Sequence, residues 1–263
     1  MNVSLNRFMS AAVLTVLIMA MPGPAHAEST LQRILQTGKI RVGTTGDWNP
    51  MSMRDPSTNT YKGFDIDVVS ELASDLGVDL VFVPTDWKTL ISGMVAGKYD
   101  ISTSASITPS RIRTVGFSRS YYQVGTIPLT LKSNVDRFST WSAINRPGVR
   151  VAVTMGTSFE QQVKQFFPEA QIVSVEAPAR DFQEVLSGRA DVSITSNLEA
   201  SQLVGTYPQL TVVPVDKPRS PADLAFITPQ DDQVWINYLN HWIDIKTNRG
   251  FFQALQRRWM PAP

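Results

Sequence analysis

The sequence predicts an α/β protein of two lobes. Strand-like apolar runs alternate with helix-patterned stretches from Ile40 onward. The rhythm breaks near Gly125 to Lys132 and then restarts, and the chain closes on two amphipathic segments with no strand after them. Alternation of this kind implies a mainly parallel sheet covered by helices on both faces, because a parallel crossover needs a helix to return the chain. Two such units make a cleft.

The elements follow in order. IRVGTT reads as a strand, FDIDVVSELASDLG as a helix, LVFVPT as a strand, the amphipathic WKTLISGMVAGK as a helix and YDIST as a strand. Gly77 and Gly97 are placed to end the two helices. After the strand-like GTIPLTLK come the strand VRVAVT, a helix opening at Gly156-Thr157-Ser158, the strand AQIVSV, the helix FQEVLSG, the strand ADVSIT and a helix from Asn197 to Val204. A Pro-rich stretch, VVPVDKPRSPADLAFIT, precedes helices around Trp235 to Thr247 and Gly250 to Trp259, which are expected to return to the first lobe. No internal sequence repeat stands out; the likeness of the halves is architectural.

Residues 1–27 read as a secretion signal: a basic start at Arg7, an apolar core from Phe8 to Met21 and the small-residue pattern Ala25-His26-Ala27. The mature chain is then expected to begin at Glu28 and to work in the periplasm. There is no cysteine, which excludes a disulfide framework and a lipid-anchored cysteine, so no membrane anchor is expected. Without Arg7 the 24 basic side chains fall to 23, matching 23 acidic ones, and this balance speaks against a nucleic-acid partner. His241 is the one histidine beyond the signal, so no metal and no cofactor is expected. Asp65 and Asp67 in GFDID are read as a helix opening, not as a metal pair.

The stretch DISTSASITPSRIRTVGFS, Asp100 to Ser118, carries the most chemistry. Arg111 offers a planar fork able to hold a carboxylate with two hydrogen bonds, and Ser104 and Ser106 offer hydroxyls to complete its shell. With TTGDWNP, VPTDW, MGTSFE and TSNLEA at the other strand ends, it resembles the polar amino-acid-binding proteins of ABC transporters, solute-binding protein family 3. The resemblance covers the whole mature chain and implies the type II periplasmic-binding-protein fold. It further implies a discontinuous first lobe (28–125 and 220–263), a second lobe (126–219), two hinge strands and a monomer. The ligand residues it implies are Asp47, Trp48, Trp87, Ser104, Ser106, Arg111, Thr157, Ser158 and Ser196. In the family the helix opening at Thr157 and Ser158 presents free N–H groups to an anion. The run from Asp100 to Arg111 is one residue shorter than the family's, which leaves open whether Thr103 or Ser104 faces the cleft. Structural readings stand beside these: a core role for Trp48, a helix-start staple for Trp87, ordinary capping for Thr157 and Ser158.

Amino-acid binders carry an aspartate for the ligand's ammonium where this chain has Ser196, so an ordinary L-amino acid is a less safe expectation. Three residues on stands Glu199. TTGDW, VPTDW and this glutamate are similar to an offshoot of the family, the periplasmic cyclohexadienyl dehydratases, which convert prephenate to phenylpyruvate or arogenate to phenylalanine. There a glutamate at this place is the proposed general acid. The offshoot carries an aspartate at Ser196 and an asparagine at Phe159, both missing here, and Glu199 is also readable as a surface helix charge. The leading expectation is therefore a periplasmic receptor that captures a small carboxylate, either an amino acid or an aromatic or apolar organic acid, for an ABC-importer permease. Dehydration by Glu199 is the alternative, and a signalling receptor the third.

Overall fold

The computed structural model describes residues 28–260; the expected signal, residues 1–27, lies outside them. In chain order the elements are α1 (Thr30–Thr37), β1 (Lys39–Thr44), β2 (Asp47–Trp48), β3 (Ser52–Arg54), β4 (Tyr61–Lys62), α2 (Phe64–Leu76), β5 (Asp79–Pro84), α3 (Leu90–Val95), β6 (Ile101–Ser106), β7 (Gly116–Phe117) and β8 (Tyr122–Leu131). A 3-10 turn and α4 (Trp141–Ile144) lead to β9 (Arg150–Thr154), α5 (Ser158–Phe166), β10 (Gln171–Val175), α6 (Asp181–Leu186), β11 (Val192–Ser196), α7 (Asn197–Thr206), β12 (Leu210–Val212), β13 (Arg219–Thr228), α8 (Gln233–Asn248) and α9 (Phe251–Trp259). Among the described residues no helix is long and apolar enough to cross a membrane.

One ten-stranded sheet runs through both halves in the order β10-β9-β11-β8-β13-β6-β1-β5, with β12 on β8 and β7 on β13. β5, β1 and β6 are parallel, as are β10, β9 and β11. The two ten-residue strands β8 and β13 are antiparallel to each other and to β11 and β6 respectively, and they join the halves. The predicted two-lobed α/β architecture with two hinge strands is present. β13 occupies the second half of the Pro-rich stretch, which its prolines had marked as irregular; Pro221 lies where the register with β8 shifts, a place where a missing N–H costs nothing. The small sheet β2-β3-β4 and helix α1, which the sequence reading left unassigned, complete the first half. Ser29-x-x-Gln32 forms a capping box at the start of α1.

Each half has its own core. Phe64, Leu72, Trp235, Trp242 and Phe252 centre the first, so the last two helices do return to it. Phe138, Trp141, Val151 and Phe167 fill one face of the second, with Leu129, Val185 and Leu203 on the other. Trp235 is fully buried and its Nε1 donates to the Asp100 carbonyl (3.1 Å), tying α8 to the entry of β6.

The two halves share one electrostatic device. The Asp100 carboxylate, just before β6, accepts from the backbone N–H of Arg41 on β1 (2.8 Å) and from its guanidinium (2.6 Å), while Arg41 Nη1 reaches the Gly97 carbonyl. Asp191, just before β11, accepts from the backbone N–H of Arg150 on β9 (2.9 Å) and from its guanidinium, while Arg150 Nη1 reaches the Arg189 carbonyl. The sequence traces are IRV with GKYD and VRV with GRAD. A four-residue echo of this kind is too short to stand out as a repeat until the strands are paired.

Candidate functional site

A nearly closed cavity lies between the halves, at the carboxyl ends of β6, β9 and β11. Ligands of open α/β sheets lie at such strand ends, where loops and helix N-termini converge. Trp48, Trp87, Ser104, Ser106 and Arg111 line it from the first half, and Thr157, Ser158 and Glu199 from the second. Eight of the ten sequence-derived site residues therefore meet in one space.

Arg111 is 8 % exposed, and its guanidinium touches only carbonyl oxygens: Nη1 donates to Ser106 (3.1 Å) and Nη2 to Gly156 across the cleft (3.0 Å). Burial lowers its pKa to about 10, so it stays charged at neutral pH. A buried cation with no carboxylate partner is costly, and a ligand carboxylate offsets that cost with short charge-assisted bonds. Opposite it, Thr157 and Ser158 open α5. Thr157 Oγ1 donates back to the Thr154 carbonyl (2.7 Å) and does not cap the helix, which leaves first-turn N–H groups of α5 free of a side-chain cap. Ser158 Oγ lies 3.2 Å from Ser106 Oγ, joining the halves. Gly156 has φ +76°, and a Cβ there would fall 2.3 Å from the Trp87 carbonyl oxygen, so this close approach of the halves requires glycine.

The aromatic wall is an edge-on pair, Trp48 and Trp87, with centroids 5.7 Å apart and planes at 77°. Trp48 is almost wholly buried and packs into the first core as well, so it serves both readings. Trp87 Nε1 donates to Asp47 Oδ1 (3.0 Å). Asp47 does not itself line the cavity; it holds Trp87 and, through Oδ2, pairs with Arg180 at 3.1 Å.

Ser104, not Thr103, lines the cleft; Thr103 faces a separate small pocket. Ser104 adopts φ +46°, unusual for a residue with a side chain. Its N–H donates to Tyr121 Oη (2.7 Å) and its hydroxyl to Asp65 Oδ1 (2.7 Å), so the hydroxyl proton is committed to Asp65 and not to a ligand. Burial raises the Asp65 pKa to about 7, against the Ser104 and Thr103 hydrogen bonds that lower it. Ser196 is fully buried and also lies off the cavity: its Oγ accepts from the Glu199 N–H (3.0 Å) and caps α7.

That cap sets Glu199 in the first turn of α7 with its carboxyl inside the cavity, 4 % exposed. Oε1 accepts from Arg180 Nη2 (2.7 Å) and Oε2 from the Thr195 hydroxyl. Burial pushes its pKa up to about 7; Arg180 opposes this, while Asp181 and Asp47 add to it. A carboxyl in this range holds or gives a proton near neutral pH.

Arg180 and Asp181, which the sequence reading did not single out, complete the charged wall. Burial works against the Arg180 charge, but Glu199, Asp47 and Asp181 outweigh it and hold the guanidinium protonated. Its Nη1 also donates to the Asp47 carbonyl, so it bridges the halves. Asp181 Oδ1 accepts from Thr154 Oγ1 (2.8 Å) and its Oδ2 has no partner. APARD sits in a polar connection before a helix, where Arg and Asp read as solvated; 133 residues separate Arg180 from Asp47, and only the fold brings them together.

Residues 40–262 match the model of the bacterial extracellular solute-binding proteins, family 3. The chain is 32 % identical to the cyclohexadienyl dehydratase of Pseudomonas aeruginosa over 97 % of its own length and 94 % of the relative's. Among solved structures it is similar to an ancestral amino acid-binding protein described as a precursor of cyclohexadienyl dehydratase (37 % identity, TM-score 0.81, 88 % and 99 % of the two chains). It is also similar to an ancestral cyclohexadienyl dehydratase (42 % identity, TM-score 0.55, 90 % and 98 % of the two chains).

Proposed function

This chain belongs to family 3 of the bacterial extracellular solute-binding proteins, and on that premise we propose that it is a periplasmic cyclohexadienyl dehydratase acting on prephenate or arogenate. The observation that carries this reading is Glu199: a buried carboxyl, with its pKa raised to about 7, in the same cavity as the carboxylate-ready Arg111. A carboxylate that receives a ligand's ammonium works ionised and free of other cations, whereas Glu199 is already paired with Arg180 and its pKa is raised. A dehydratase requires a proton donor there.

Arg111 and the α5 opening hold the side-chain carboxylate, with Trp48 and Trp87 against the ring. Glu199 gives its proton to the ring hydroxyl, whose C–O bond breaks to release water. The bond from the ring to its carboxylate breaks in the same sense, its electron pair enters the ring, and carbon dioxide leaves as the ring becomes aromatic. One proton is consumed per turnover with prephenate, and it returns to Glu199 from solvent. Phe159 lines the cavity where the dehydratases carry asparagine, and Ser196 turns away as a cap where they carry aspartate. Arg180 and Asp181 supply the charged groups on this wall instead.

The second reading, a receptor delivering an amino acid to an ABC-importer permease, is favoured by the likeness to an ancestral amino acid-binding protein. Incubating the protein with prephenate and with arogenate, and following phenylpyruvate and phenylalanine, separates the two. Product formation above the spontaneous rate, lost in Glu199→Gln, is expected. Stabilisation by L-amino acids with no turnover would give the receptor.

A further inference from the structure

Three carboxylates converge on one guanidinium in the cleft. Arg180 Nη2 lies 2.7 Å from Glu199 Oε1, Nη1 lies 3.1 Å from Asp47 Oδ2, and Nε lies 3.8 Å from Asp181 Oδ1. The Arg180, Asp181 and Glu199 side chains are 9 %, 4 % and 5 % exposed. Asp47 is 28 % exposed, but the two buried acids need a cation, and among the described residues the other guanidinium of the cavity, Arg111, touches only carbonyl oxygens. The cluster also has an open valence: Asp181 Oδ2 and Arg180 Nε, both buried, have no hydrogen-bond partner among the described residues. Asp181, Glu199 and Arg180 all face the ligand space.

We propose that Arg180 is an internal cation that occupies an acidic subsite of the cleft and thereby sets its charge specificity. With Arg180 in place the subsite is filled, and the cavity takes anions or zwitterions without an extra positive group. Without it, Asp47, Asp181 and Glu199 form a receptor for a guanidinium or ammonium group. Exclusion of cationic ligands is then a property of one side chain, because removing it leaves uncompensated charges that select a cation from solution. This inference is independent of catalysis.

The test compares wild type with Arg180→Ala by calorimetry and thermal unfolding in a series from pH 7 to pH 9, because the variant loses the guanidinium that lowers the Glu199 pKa. The probes are guanidinium chloride at low millimolar concentration against sodium chloride, and L-arginine against its uncharged isostere L-citrulline. The expected result is a gain of function: at least a tenfold rise in L-arginine affinity in the variant, with no such rise for L-citrulline, and stabilisation of the variant by guanidinium. A purely structural role for Arg180 produces no such gain. Arg180→Gln, which keeps a donor for the Asp47 carbonyl, replaces the alanine variant if that does not fold. Wild-type binding of L-arginine as tight as the variant's, a folded variant with no cation preference, or two variants that guanidinium does not restore would each overturn the proposal.

Discussion

At Asp65, Arg111 and Glu199 burial disfavours the charged form and moves the pKa away from its ordinary range. For Glu199 the consequence is chemical. Glu199→Gln keeps the shape and the Arg180 contact but cannot give a proton, so turnover should fall by about 100-fold or more while ligand binding persists. For Arg111 the consequence is affinity. Arg111→Ala should weaken carboxylate binding by roughly 10- to 100-fold, the worth of hydrogen bonds to a charged group, as measured by calorimetry. Asp65 carries a stability effect. Its folded pKa of about 7 lies above the ordinary 3.8, so the native state binds the proton more tightly than the unfolded chain. The contribution is complete below the ordinary carboxylate range and is lost as pH rises through about 7. Urea unfolding in a Glu199→Gln background should show stability declining between pH 5 and pH 8, and Asp65→Asn should flatten that decline. At this scale the sequence was legible where a residue type is itself unusual. A lone Arg after a hydroxyl-rich strand is such a case, and Trp beside Asp at a strand end is another. Arg180 was not, since its meaning lies in partners on other elements.

Among the elements, the long strands and helices could be read directly because alternation and helical spacing are strong in them. The amphipathic stretch predicted from Trp87 shortened to α3, Leu90–Val95, because Asp86 accepts from the Thr89 N–H and holds a turn ahead of the helix. The two-residue strands β2 and β4 carry no periodicity to detect. The paired Arg–Asp clamps explain why the strands enter their sheets in register. Asp100 is fully buried and serves Arg33, Arg41 and the Arg41 backbone N–H. Removing it leaves the Arg41 N–H and two guanidiniums without this acceptor, but Arg33 and Arg41 are each about one-third exposed, so Asp100→Ala should cost roughly 1–3 kcal/mol of folding free energy. Asp191→Ala should act in the same direction with a smaller effect, since Asp191 is itself less buried than Asp100 and its second partner, Arg137, is half exposed and 3.5 Å away. Urea denaturation checks both.

For the whole molecule, the two halves meet through Arg111 and Gly156, Ser106 and Ser158, and Arg180 and Asp47. These contacts are polar and can separate and reform about β8 and β13, as hinge closure requires. Lys88 and Glu176 also pair across the cleft at 2.7 Å, but both are more than half exposed and contribute little. Gly156→Ala sets a Cβ against the Trp87 carbonyl and should hold the halves apart, lowering ligand affinity at least tenfold while leaving each half folded. Calorimetry with circular dichroism reads this. The two-lobed plan was visible in the order of elements, whereas the contacts across the cleft were not, because they depend on how two separately encoded halves are set by the hinge strands. The most direct test of Glu199 as the acid of a closed cleft is the pH dependence of kcat/KM for phenylpyruvate formation from prephenate. A rate above the spontaneous background that falls as pH rises through about 7, and that is absent in Glu199→Gln, is the expected result. No rate above background at any pH, or an unchanged rate in Glu199→Gln, would contradict it.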